Sequence, residues 1–428
     1  MARGGRRYSR ELVSRSARVA LVLVLLGTLG QAVSLVSRGR RGDSDFGVFH
    51  RTTQLLAGGI GSDLYPRLDV VTTWPISLSP TGLAIFQPLA GLSPVMASAV
   101  WAGVNLVLLG ISFVVLRDLL TRTGDARSNE FFAWATVILL VLSSGSIQVG
   151  QFSVLFVACW IVSLSALAAG RPFSALLLLA LPSAIKLYPA MMLAIPLSLV
   201  RNVRAGFHQI VQFAVALVIM CLIVPVAMYG SNGWTLNVSF WRNVILSPAG
   251  QVQYMQTVRH SNQSLDTLLL RYFSYEPDFH DLFLNVPHFW LDKGDVVAVA
   301  NIVRLLIVLG TVAAVWRWRR TPRDLSSRDD LLTMAGLWSS TLYLMLPETK
   351  ARYAVYAFLG FLPLLKRAAT IGGEATRAAR ARPWVEVAVL IVLILVTLPA
   401  SVQVYGVGFL GAALLWAANI RHARLANR

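Results

Sequence analysis

Long apolar runs alternate along this chain with short polar breaks, and that rhythm predicts helices almost throughout. The runs occupy residues 18–36, 97–116, 131–147, 152–169, 210–229, 296–315, 331–346, 354–365, 385–398 and 402–418, with a shorter one at 79–92 closed by Pro94. A helix of about 20 apolar residues crosses the ~30 Å hydrocarbon core of a bilayer. Backbone groups in lipid must bond within their own segment, which favours helices over barrel strands here. Residues 173–200 hold Pro182, Lys186, Tyr188, Pro189 and Pro196. They predict either one long broken helix or a re-entrant pair, the kind of irregular backbone that lines a cavity. The expected fold is an all-α polytopic membrane protein, one domain over residues 1–428, with about twelve transmembrane helices.

Two polar segments interrupt the rhythm, at residues 37–78 and 230–295. The first opens with Gly42-Asp43-Ser44-Asp45-Phe46 and continues into a helical mix at 47–56, read as a juxtamembrane helix lying along the surface. Gly58-Gly59-Ile60-Gly61 breaks that helix, Leu64-Tyr65-Pro66 follows, and Thr73-Trp74-Pro75 reads as an interfacial anchor. The second is rich in Trp, Asn, Gln and His, and residues 263–273 predict a short surface helix within it.

Composition supports the membrane reading: 56% of residues are hydrophobic and only 14% charged, against about 25% charged in soluble domains. The net charge of +18 does not indicate nucleic acid, because the arginines cluster beside spans and form no basic domain interleaved with aromatics. They follow the positive-inside rule instead. Six arginines up to and including Arg18, at the head of the first run, place the amino terminus in the cytoplasm, and Arg317-Trp318-Arg319-Arg320 and Arg421 mark the same side. The first run reads as a retained span of a plasma (inner) membrane protein. Both long polar segments and residues 348–352 then share the outer face. Arg38, Arg40, Arg41 and Arg51 lie there against the rule, where an anionic headgroup would attract them.

Candidate chemistry gathers on that face. Asp43, Asp45, Asp63 and Asp69 stand beside a membrane span, where ionised carboxylates face water, a substrate or a cation; the alternative is a loop kept soluble. Lys186, one of four lysines among the 38 Lys and Arg residues, lies in an apolar run. It suits a phosphate or carboxylate partner, or snorkels from a helix end. His260 with Asn262-Gln263-Ser264 and Arg271 offers hydrogen bonds to sugar hydroxyls or phosphate oxygens. Phosphate-loop, zinc-protease and serine-hydrolase motifs are missing, which disfavours those chemistries. Cys159 and Cys221 lie in separate runs and argue for neither a disulfide framework nor a metal site.

Several stretches together resemble glycosyltransferase family 87, of the glycosyltransferase-C superfamily, over most of the chain. They are Asp45-Phe46-Gly47-Val48-Phe49, Leu55-Leu56-Ala57-Gly58 and Leu64-Tyr65-Pro66; then Gly150-Gln151, Lys186-Leu187-Tyr188-Pro189, and Asn262-Gln263-Ser264-Leu265 with Arg271. The resemblance implies transfer of a sugar, commonly mannose, from a polyprenyl monophosphate on the outer leaflet to a lipid-linked or glycan acceptor, with inversion. It implies an aspartate base in the first outer loop, matched by Asp45, with Asp43 as the fallback. Where the family often has a histidine-rich patch before a late span, this chain has Glu348, Lys350, Arg352 and Tyr353.

The residues suit that chemistry. A glycosidase needs two carboxylates because its alcohol leaving group must be protonated, whereas a phosphate leaves as an anion and needs cations or hydrogen bonds. The expected roles are Asp45 as base and Lys186, Arg271 and Arg352 at the donor phosphate. Tyr65, Gln151, Tyr188, His260, Asn262, Gln263, Glu348 and Lys350 are the expected substrate contacts. The scheme calls for neither metal nor cofactor. A lipid-linked-sugar flippase or transporter is the first rival and predicts internal repeats with charges at the midplane. A structural scaffold is the second, and would leave Asp45 and Lys186 replaceable.

Overall fold

The computed structural model describes residues 2–65, 67–121, 128–246, 264–273, 291–320, 327–346, 349–370, 377–395 and 407–425. Among them 86% are helical and none forms a strand; a lone antiparallel bridge joins Leu68 to Pro75. In chain order the α-helices are α1 (Ala2–Arg41), α2 (Asp45–Ala57), α3 (Pro80–Phe86), α4 (Pro94–Thr121), α5 (Ser128–Val149) and α6 (Ser153–Ala168). There follow α7 (Pro172–Ile185), α8 (Ala194–Leu199), α9 (Val203–Val218), α10 (Val224–Tyr229), α11 (Ser231–Phe240) and α12 (Leu265–Phe273). The last five are α13 (Lys293–Arg319), α14 (Arg328–Met345), α15 (Phe358–Thr370), α16 (Arg377–Leu395) and α17 (Val407–Leu425).

Five helical stretches among the described residues are long and apolar enough to cross a bilayer: Val19–Arg41, Pro94–Thr121, Ser128–Val149, Val203–Tyr229 and Gly294–Arg319. Four shorter apolar helices accompany them, Ser153–Ala168, Pro172–Ile185, Tyr188–Leu199 and Pro383–Ile394. The chain is thus a multi-pass membrane protein, but these lengths alone do not establish the expected twelve crossings. Residues 79–92, read as a short span, form the seven-residue α3 and a 3-10 turn at Gln87–Leu89. At 1.5 to 2.0 Å per residue that covers about half the hydrocarbon.

The proline-rich run at 173–200 is broken. Helix α7 stops at Ile185, Lys186 is extended (φ −142, ψ 140), a 3-10 helix covers Tyr188–Leu193, and α8 resumes the course. Helices form where the two short ones were expected, as α2 and α12.

The periphery and the centre use different residues. The most apolar windows of Val19–Arg41, Val203–Tyr229 and Gly294–Arg319 are only 17% buried, so their Leu and Val side chains face the lipid. Helix α14 is buried from Asp330 to Leu344 and carries the hydroxyls that tie the centre together. Thr341 bonds Thr311 of α13 at 2.9 Å, and Trp338 Nε1 donates to Ser198 Oγ at 2.8 Å. Such interhelical polar bonds supply specificity where lipid removes the hydrophobic drive to pack. Ser339 Oγ donates to the Tyr356 carbonyl at 2.6 Å, fastening the 3-10 helix Ala351–Ala357 to this core.

Candidate active site

Asp45 owes its position to a turn between α1 and α2. Gly42 adopts φ +68, and its N–H donates to the Arg38 carbonyl at 2.9 Å, closing α1 in the left-handed conformation that glycine takes without strain. Ser44 then caps α2, its Oγ accepting from Gly47 N at 3.2 Å. A Cβ on Gly47 would lie 2.5 Å from the Gly42 carbonyl oxygen, so the turn closes only over glycine. Asp45 is the first residue of α2, where the helix dipole favours a carboxylate.

The body of α2 is held by its buried face. His50 donates a ring N–H to the Leu89 carbonyl at 3.1 Å, and Phe46 packs edge-on against Phe86 at 5.7 Å. On its far side Phe46 meets the break between α5 and α6. There Gly150 has φ +72, and a Cβ would lie 2.5 Å from Phe46 Cβ. The Gly150 carbonyl accepts from Trp101 Nε1 at 3.0 Å. Gln151, next in sequence, is buried, with Oε1 accepting no hydrogen bond among the described residues.

Arg352 arrives from 307 residues away. Its Nη1 donates to Asp45 Oδ2 at 2.7 Å, the two side chains being 17% and 8% exposed. The 3-10 helix that carries it has three residues per turn, which eclipses positions i and i+3. Tyr353 accordingly stacks on Tyr356 with centroids 5.8 Å apart and planes 14° apart. Tyr356 bonds Tyr188 hydroxyl to hydroxyl at 2.9 Å and rests on Phe156 and Trp160. Lys186 reaches the same ring from the broken end of α7: its Nζ lies 5.2 Å from the centroid of Tyr353 and 5.9 Å from that of Tyr188. The Arg352 guanidinium carbon is also 5.2 Å from the Tyr353 centroid. Two cations therefore share one aromatic ring, and Asp45 pairs with one of them, Arg352.

The structure thus brings Asp45, Lys186, Tyr188 and Arg352 together and buries Gln151 next to Gly150 at the break between α5 and α6. Asp43 is exposed and pairs with Arg41 at 3.3 Å. Tyr65 is fully buried; its hydroxyl donates to the Leu78 carbonyl at 2.6 Å and its carbonyl accepts from Asn243 at 3.1 Å. It braces the first polar segment against the second and leaves no hydroxyl face for a sugar. Lys350 lies half-buried just before the 3-10 helix, its carbonyl accepting from Tyr353 N at 2.8 Å. His260, Asn262, Gln263 and Glu348 lie outside the described residues, as does the side chain of Arg271. No group of three or more His, Cys, Asp or Glu gathers as a metal site among the described residues.

Two features escaped the sequence reading. One is Tyr356, whose signal was the three-residue spacing from Tyr353. The other is the ion pair of Arg51 with Asp69, at 2.7 and 2.6 Å through two nitrogens and both carboxylate oxygens. Asp69 Oδ2 also accepts from Thr72 N at 2.8 Å and Thr72 Oγ1 at 2.7 Å. Burial works against that charge, but Arg51 and Thr72 outweigh it and hold the carboxyl down at about 2. Arg51 also donates to the Gly42 carbonyl at 2.9 Å. Protein groups thus account for Arg41 and Arg51, two of the arginines that stood against the positive-inside pattern.

A helical membrane chain with a carboxylate and two cations around an aromatic platform is equipped to handle an anionic lipid-borne group. Residues 79–347 match the family model of glycosyltransferase family 87. With well over half of its length matched, the chain belongs to that family and is a membrane glycosyltransferase. No curated protein and no solved structure matches it. The matched span contains Gln151, Lys186 and Tyr188; Asp45 and Arg352 fall outside it and rest on the geometry.

Proposed function

We propose that this glycosyltransferase moves a sugar, mannose by family resemblance, from a polyprenyl monophosphate to a lipid-linked or glycan acceptor, with inversion. The reaction takes place on the outer face of the plasma membrane, with both termini in the cytoplasm, as a step of cell-envelope glycolipid assembly. The observation that supports this most is the meeting of Asp45, Lys186 and Arg352 around Tyr353. In the reaction, the acceptor oxygen bonds to the anomeric carbon as its proton passes to Asp45. The bond from that carbon to the phosphate oxygen breaks on the opposite side, and the electron pair leaves with the lipid phosphate. Lys186 and Arg352 stabilise the departing anion, with the advantage that a site already ordered has over reorganising water. General base catalysis of this kind contributes about 10²-fold to 10⁴-fold.

The test is transfer by the purified full chain across a panel of polyprenyl-phosphate sugars and lipid acceptors, compared with nucleotide sugars. The expected result is turnover with a polyprenyl-phosphate hexose alone, with Lys186→Met losing at least tenfold in kcat/KM for that donor. Turnover with nucleotide sugars, or an unchanged Lys186→Met, overturns the reading.

A further inference from the structure

The donor of the proposed reaction carries a long apolar chain, and the residues around Tyr353 account only for its charged end. The chain needs apolar surface that opens to the bilayer beside the site. A groove of about 690 Å³ runs along α11, where Trp234, Val238 and Trp241 recur at helical spacing and face Leu222 of the neighbouring span. That is the size of a small-ligand site, ~300–1,000 Å³. Trp234 is 56% exposed and Val238 50%, so the groove is open along its side. Helices α10 and α11 touch at Gly233, where any side chain would run into the Pro225 carbonyl.

The backbone departs from α-helix on both sides of this groove. Residues Ile219–Ile223, between α9 and α10, and Trp241–Ile245, after α11, form π turns, which are rare and concentrate at functional sites. The first supplies Leu222 to the groove and the second Trp241 and Arg242. Each turn is tied to the region of the site: the Met220 carbonyl accepts from Thr81 Oγ1 of α3 at 2.8 Å, and Asn243 Nδ2 donates to the Tyr65 carbonyl at 3.1 Å. At one end of the groove, Asn237 and Trp241 also line a narrow crevice that reaches Ile185, Lys186 and Cys221. Cys221 lies in the spanning stretch Val203–Tyr229, about 12 Å from its Tyr229 end, so a lipid chain reaches this level sideways from the bilayer.

We propose that the groove between the two π turns seats the isoprenyl chain of the donor. Trp241 stands next to the phosphate end and Trp234 about 10 Å farther along the chain, which makes these residues and Val238 determinants of donor-chain specificity. Arg242 is exposed; its stem lies along apolar surface while its head stays with water or headgroups. The proposal rests on the donor reading given above.

The test varies the chain while the sugar stays the same. Transfer by the full chain in lipid nanodiscs is measured with the hexose carried on dimethylallyl phosphate, a single isoprene unit, and on the longer farnesyl phosphate. The natural chain is expected to favour the farnesyl donor by about tenfold or more in kcat/KM, from the added apolar contact. Trp241→Ala removes one wall of the groove, and Val238→Trp fills it from its open side. Each should raise KM for the farnesyl donor about tenfold with kcat within about threefold, the pattern of lost uniform binding, and change the dimethylallyl donor far less. Val215→Ala, equally exposed on α9 but away from the groove, should leave both donors unchanged, which separates a seat for the chain from general lipid contact. A natural chain indifferent to donor length, a preference that survives both groove variants, or a loss shared equally by the two donors overturns the proposal. So does a fall in kcat with KM unchanged, or a raised KM for the acceptor in place of the donor, which would give the groove to the acceptor's lipid. Turnover with nucleotide sugars, or with no isoprenyl-phosphate donor at all, instead removes the donor reading and the proposal with it.

Discussion

Asp45 and Asp69 open and close the same polar segment, and each pairs with an arginine, but the two pairs are built for different ends. Asp69 takes a two-pronged guanidinium from Arg51, 18 residues before it, and adds the amide and hydroxyl of Thr72. Its partners all come from the segment itself, and both its oxygens are occupied. Asp45 takes one bond from Arg352, 307 positions away, beside Lys186 and three tyrosines. A carboxylate satisfied locally holds a loop; one held by a single distant cation in an aromatic cluster retains something to give up. The difference fits a structural Asp69 and, under the function proposed above, a chemical Asp45, although the two look alike in the sequence.

The largest effect that sharpens this contrast is expected from Asp45→Asn, which should lower kcat by about 10²-fold to 10⁴-fold with thermal unfolding close to that of the natural chain. A comparable loss of rate in Asp69→Asn, measured per folded molecule, would break the comparison. Gly150→Ala comes next. Its Cβ would press on Phe46 from a backbone at φ +72, shifting Asp45 relative to Arg352, and transfer should fall about tenfold, since small misplacements of reacting groups are costly. Normal transfer in that variant would show that the Phe46 contact does not position the base.

Asp69→Asn should instead cost stability, about 2 kcal/mol for a largely buried pair left half-made, read by thermal unfolding in detergent, with transfer per folded molecule within about threefold of normal. The smallest effect is on pH. The Asp69 carboxyl is held at about 2 in the folded chain, below its ordinary 3.8. Its folded state therefore binds fewer protons than the unfolded one in that window. Its stabilisation is complete above about pH 4 and drains away as pH falls toward 2. The melting temperature of the natural chain should drop across that window, and Asp69→Asn should lack this part of the drop.

Much of the site was legible because its strings are local. Gly42-Asp43-Ser44-Asp45 opens the first polar segment, and Gly150-Gln151 marks a break between two apolar runs. Lys186 among prolines marks irregular backbone, which the structure has there. What the sequence concealed is pairing over distance. Nothing near Arg352 says that it meets Asp45, nor that Arg51 is spoken for by Asp69. The count of crossings was hard to read for a related reason. Hydropathy registers apolar length, whereas residues 79–92 fold as a short helix and turn. Tyr65 misled in the same way, a tyrosine in a loop whose hydroxyl turns inward to Leu78.

The proposed reaction is a direct displacement in which Asp45 takes the acceptor proton. The most direct test is the anomeric configuration of the product, determined by NMR after transfer from a polyprenyl-phosphate sugar of known configuration. The account predicts complete inversion and no sugar covalently attached to the protein. Retention of configuration, with a sugar adduct on Asp45 found by mass spectrometry, would make that residue a nucleophile and contradict the account.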